Sequence, residues 1–193
     1  MKVFKCIVLF FAVFLVAGCA NTTSNFMMRN NNTSVDIYYA ANKHIGLHEV
    51  RDRKQIKKLV GVDPVRTEWC AAFVNAMLAS QDMPGSDSVS DYPLMARSFL
   101  YWGESVDHAQ VGDIMVFSRG RNNWQGHVGF YIGTVNRNGL IYYKILGGNQ
   151  NNSINITEYP ANRLLGIRRI ENPLQPTQGI KISLTNFFKT IQS

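Results

Sequence analysis

Cysteine is scarce in this chain, and its placement rules out a disulfide framework. Cys6 and Cys19 fall within the first 20 residues, which leaves Cys70 alone in everything that follows. A lone thiol cannot close a bridge inside its own domain, so Cys70 is a candidate nucleophile. Long apolar runs are missing too. The stretch from Ile7 to Ala17 is too short to cross a bilayer, which needs roughly 20 apolar residues. Acidic residues are few, 13 against 20 basic ones, for a formal net charge of +7. The 193 residues suffice for one domain with a real core, not two.

What is present begins with a basic start, a short apolar segment and small residues before a cut site, the pattern of a secretory signal peptide over residues 1–18. The segment Val16-Ala17-Gly18-Cys19 resembles the lipobox of bacterial lipoproteins. That resemblance implies a lipidated Cys19 as the first mature residue, holding the protein to a membrane. Ala20 after it implies sorting to the outer membrane in a Gram-negative cell; ordinary cleavage after Ala20 is the alternative. Losing Lys2 and Lys5 with the signal takes the charge from +7 to +5. In an exported protein this basic excess points to anionic envelope polymers or lipid head groups sooner than to nucleic acid. The densest basic stretch, Arg51 to Lys58, reads as a solvated helix face. Residues 19–34, rich in Asn, Ser and Thr, read as a flexible tether with a span of roughly 20 Å.

Apolar residues at helical spacing predict a helix between Val35 and Leu47, and a second covers Lys54 to Val60. Residues 70–80, apolar nearly all round, predict a helix buried on most sides. A further helix is expected from Ser90-Asp91 to a stop at Gly103. The pattern then changes to five strands: Asp113–Ser118, Gly126–Gly133, Leu140–Gly147, Ser153–Glu158 and Leu164–Ile170, with a hairpin turn at Asn138-Gly139. Helices followed by antiparallel strands make an α+β domain over residues 35–170. Residues 171–193 read as a spacer and an amphipathic tail.

Four signals follow one another: EWCAAFV (68–74), GDIMVF (112–117), GHVG (126–129) and LGGNQ (146–150). Their order suits nucleophilic catalysis. A helix start favours the thiolate of Cys70, a neighbouring imidazole exchanges its proton, and a third polar group fixes the imidazole. The series resembles the bacterial NlpC-type cell-wall peptidases and their CHAP relatives (cysteine- and histidine-dependent amidohydrolase/peptidases), over about Ile45 to Arg168. The resemblance implies a papain-like core, with Cys70 as nucleophile, His127 as general base and Asn149 as the residue that orients His127. Many CHAP enzymes carry Glu at the position of Gly147, so the third role here falls to an amide.

Strand geometry leaves open which amide. With a two-residue loop at Asn138-Gly139, paired residue numbers sum to 277 and His127 faces Gln150. One bulged residue brings Asn149 opposite instead; the resemblance favours Asn149. His44 and His48 have zinc-compatible spacing, but no third ligand is evident, and neither metal nor organic cofactor is implied. Trp69 reads as packing, with a groove role as the alternative, and the Cys70 N–H is a candidate oxyanion donor. The expected activity is hydrolysis of an amide bond in peptidoglycan, as endopeptidase or N-acetylmuramoyl-L-alanine amidase. The alternatives are a non-catalytic peptidoglycan-binding lipoprotein and an acyltransferase on the same fold.

Overall fold

A computed structural model describes residues 33–170. The signal-like segment, Cys19 and the 171–193 tail lie outside the described residues. Three α-helices lead: α1 (Thr33–Asn42), α2 (Arg53–Val60) and α3 (Cys70–Ala79). Thus α1 opens inside the segment expected as tether and closes before Leu47. It closes early because Gly46, at φ +92°, turns the chain so that its N–H reaches Ile154 O at 2.9 Å. α2 buries Ile56 and Val60 and turns Lys54, Lys57 and Lys58 outward, the solvated basic face expected of it. α3 buries Phe73, Val74, Met77 and Leu78, each contributing roughly 1.5–3 kcal/mol by leaving water.

The helix expected from Ser90 to Gly103 does not form. Only a 3-10 segment, Ala96–Tyr101, appears there. The carbonyls an α-helix would use are taken by side chains. Tyr92 O accepts from the Ser98 hydroxyl at 2.7 Å, and Pro93 O accepts from Asn75 Nδ2 at 2.9 Å.

Six antiparallel strands make one sheet: β1 (Glu104–Ser105), β2 (Ile114–Ser118), β3 (Gly126–Arg137), β4 (Leu140–Gln150), β5 (Ser153–Pro160) and β6 (Leu164–Arg169). Their order is β1-β6-β2-β3-β4-β5. The five expected strands are β2 to β6, with β3 and β4 running longer than expected; the added β1 is a short edge pair on β6. Asn138 and Gly139 take φ of +53° and +83°, as a two-residue type I′ hairpin requires.

Both faces of the sheet are covered. Ile114 and Val116 of β2 join the helix-side core, while Met115 and Phe117 face a second core with Ile145 and Ile167. Burial on both faces explains why β2 reads as continuously apolar. Tyr159 of β5 stacks on Phe117 of β2, centroids 4.9 Å apart. Those strands are three places apart in the sheet, roughly 14 Å if it were flat, so the sheet curls around the second core. The GD pair of GDIMVF is a structural anchor. A Cβ on Gly112 would lie 1.9 Å from Ser34 O of α1. The buried Asp113 carboxylate accepts from Arg169 Nε at 2.9 Å, Arg169 Nη2 at 2.8 Å and Gln110 N at 2.7 Å.

Candidate active site

Cys70 is the first residue of α3 and is 3% exposed. The loop before it is held by the buried Trp69, whose indole N–H donates to Glu49 Oε2 at 3.1 Å. Trp69 therefore packs and does not line a groove. β4 presses on this corner: a Cβ on Gly148 would lie 2.6 Å from Trp69 Cζ3 and 2.7 Å from Phe73 Cβ.

The Cys70 sulfur meets the backbone N–H groups of Ala71 and Val128. The second contact sets it against β3 at the residue following His127. Burial pushes the thiol up, and the two N–H groups pull it down less strongly. The helix start was expected to favour the thiolate; desolvation outweighs it.

His127, 1% exposed, lies near the start of β3. Burial lowers its imidazole to about 4, with the Gln150 hydrogen bond acting the other way. The ring stacks on Tyr159 at 4.9 Å and 11°, and burial pushes that phenol up to about 12. Nε2 meets Gln150 Oε1 at 3.0 Å. Among the described residues, Nδ1 has no hydrogen-bond partner.

The structure thus pairs His127 with Gln150, whereas Asn149 turns away and donates from Nδ2 to Glu68 Oε2 at 2.6 Å. Two bulges decide this. From Arg137↔Leu140 to Gly133↔Lys144 the hairpin keeps the simple register, then Ile132 is passed over and Tyr131 pairs with Ile145. That slip alone would carry Asn149 opposite His127. On β4, however, Gly148 and Asn149 together face the single residue Ile154, between the pairs Gly147↔Asn155 and Gln150↔Ser153. Asn149 takes φ +56° there. An extra residue on each strand cancels the other, and Gln150 returns to His127. Gly147 leaves room for the contact, since a Cβ there would lie 3.0 Å from Gln150 Oε1 and 3.3 Å from His127 Nε2.

Glu68 also accepts from Arg119 Nη1 at 3.0 Å, so Arg119, Glu68 and Asn149 form a surface chain, with Glu68 two residues before Cys70 in sequence. An open pocket of about 230 Å³ adjoins it, lined by Glu49, Arg66, Thr67, Glu68, Asn149 and Asn152. No role had been read from sequence for Arg119, Asn155 or Tyr159, because their approach to the site depends on the curl of the sheet. His44 and His48 stand elsewhere. His48 Nδ1 accepts the Val50 N–H at 3.2 Å, and no metal-binding group of three or more His, Cys, Asp or Glu occurs among the described residues.

A helix-borne cysteine packed on an antiparallel sheet that bears a histidine is an α+β arrangement compatible with a papain-like domain. Within it, the family model of the CHAP domain matches residues 62–149. That match spans fewer than half of the 193 residues and marks a similarity to the CHAP domain over that stretch. The match includes Cys70, His127 and Asn149 and stops one residue before Gln150. No curated protein and no solved structure matches the chain.

Proposed function

We propose that the domain cleaves an amide bond of the peptidoglycan stem peptide by acyl transfer to Cys70. The observation that carries this reading is a buried His127 whose Nε2 is engaged by Gln150, on the strand that packs against the helix opened by the buried Cys70. Gln150, not Asn149, then holds the imidazole, leaving Nδ1 to exchange protons.

Burial keeps both groups neutral at rest: the thiol is pushed up and the imidazole down to about 4. The proton moves from Sγ to Nδ1 as sulfur attacks the stem-peptide carbonyl. This transfer creates an adjacent ion pair and no net charge. The Cys70 N–H, at the helix start, is positioned to receive the oxyanion. The imidazolium then protonates the departing amine, giving a thioester. Water, losing its proton to His127, attacks that thioester and restores the thiol. Tyr159 stays a neutral phenol and serves as a flat wall for the ring. A lipid on Cys19 would keep this chemistry at the envelope.

The test uses the purified protein and its Cys70→Ala variant on isolated peptidoglycan, with released fragments identified by mass spectrometry. Intact stem peptides released by wild type alone identify an amidase, and shortened stems or split cross-links an endopeptidase. Equal, empty traces from both proteins across several peptidoglycan chemotypes would overturn the hydrolase reading in favour of peptidoglycan binding.

A further inference from the structure

Gln150 controls His127 only if its amide points one way. Reversing O and N would present an N–H donor to Nε2 and would select the opposite ring tautomer. The surroundings of Gln150 remove that freedom. Its Nε2 faces three acceptors: Asn155 O at 2.6 Å, Asn155 Oδ1 at 3.0 Å and Ile145 O at 3.2 Å. An amide oxygen in that place would meet only oxygens, so Oε1 must face His127. His127 Nε2 must then carry the hydrogen, and Nδ1 the free lone pair.

Two of the three acceptors are backbone carbonyls. The third belongs to the Asn155 side chain, which also returns a bond from Nδ2 to Gln150 O at 2.7 Å. Asn155 therefore grips Gln150 at both its side chain and its backbone. The grip falls beside the bulge, where the β4–β5 register is interrupted between Gly147 and Gln150. The Nδ2 bond to the Gln150 carbonyl fixes that amide's orientation, and Thr157 donates its hydroxyl to the Asn155 Oδ1 so presented, at 2.8 Å.

We infer that Asn155 is a positioning residue: through Gln150 it selects the Nε2–H tautomer of His127 and so leaves Nδ1 as the base. The geometric cause stands on these contacts alone; its consequence for rate rests on the hydrolase reading above. Asn155 touches neither the thiol nor the substrate in this scheme.

The test is ¹⁵N NMR of histidine-labelled full-length protein near neutral pH, with steady-state rates alongside. Wild type should show His127 as the Nε2–H form. Asn155→Ala keeps the two backbone acceptors but removes the side-chain clamp on Gln150, so it should admit a detectable fraction of the Nδ1–H form and lower kcat severalfold, with KM within about twofold. Asn155→Asp, which keeps an acceptor for Gln150 Nε2, should hold the wild-type tautomer and most of kcat. Thr157→Val should shift the tautomer in the same direction as Asn155→Ala but less, and it decides the matter should Asn155→Ala lose its dispersed spectrum. An Nδ1–H wild type would overturn the inference. So would an unchanged tautomer in both Asn155→Ala and Thr157→Val, or in Thr157→Val alone if Asn155→Ala does not fold. The ring signals need no turnover, so a protein inert on peptidoglycan would defeat the hydrolase reading while leaving the tautomer result to stand by itself.

Discussion

His127 is a buried imidazole, and its loss of water ties folding to pH. In the unfolded chain the imidazole takes up its proton near 6.5, but in the fold not until about 4. Between those values the unfolded state binds more protons, so stability falls as pH drops through the window and is fully present above it. The fall from 6.5 to about 4 corresponds to about 3 kcal/mol. Urea unfolding at pH 7 and pH 4 should show wild type losing about that much more stability than His127→Gln. Parallel losses in the two proteins would mean the imidazole is solvated. The raised Cys70 thiol acts in mirror image: its contribution is present below 9.0 and is lost as pH rises beyond it. Between these limits both groups are neutral in the fold.

At the scale of elements, the site is made by where β4 breaks its register against α3 and β3. Its two consecutive glycines have different duties. Gly148 lets β4 touch Trp69 and Phe73, where an added Cβ would lie 2.6 and 2.7 Å from their carbons. Gly148→Ala should destabilise the fold by about 1–3 kcal/mol through overpacking, read as a lower urea midpoint at unchanged m-value. Gly147 instead borders the His127–Gln150 contact, with its notional Cβ 3.0 Å from Gln150 Oε1 and 3.3 Å from His127 Nε2. Gly147→Ala should cost less stability but reduce peptidoglycan hydrolysis roughly 10- to 100-fold, because small displacements of a catalytic group are felt steeply. A Gly147→Ala enzyme with full activity would show that the His127–Gln150 alignment tolerates displacement.

For the molecule as a whole, the deciding tie is the one that closes the last strand onto the start of β2. Asp113 is fully buried in side chain, and its partner Arg169 keeps a quarter of its own exposure. Removing one partner of such a pair strands the other, a cost of about 3–5 kcal/mol when both are buried. The part-exposed guanidinium can recover some hydration, so Asp113→Asn should lose about 2–3 kcal/mol in denaturant titration. It should leave the kcat of the remaining folded enzyme near wild type, since Asp113 lies in no contact with Cys70, His127 or Gln150. A stability change below about 0.5 kcal/mol would show that the tie is replaceable by solvent.

Much of this architecture was legible in the chain. The apolar CAAFV stretch can only be a buried helix, the β-branched segments between turn residues can only be strands, and Asn138-Gly139 names its own turn. Local chemistry decides each of these. Cys70 at a helix start and His127 on a strand were legible for a similar reason, as a lone thiol and a strand histidine in motifs of fixed order. The register was not. Whether His127 meets Asn149 or Gln150 depends on two bulges, at Ile132 and at Gly148-Asn149, and a bulge is set by packing across strands more than by the residues in it. The failed helix after Ser90 has the same cause, since Asn75 and Ser98 take its carbonyls from a distance or across a turn. Tyr159 and Asn155 come to the histidine only because the sheet curls and β5 folds back beside β4. Sequence by itself determined which elements form and which residues can do chemistry. Tertiary structure alone decided which amide meets the imidazole and that burial pushes the Cys70 thiol up and the His127 imidazole down, because register and desolvation are properties of the assembled core.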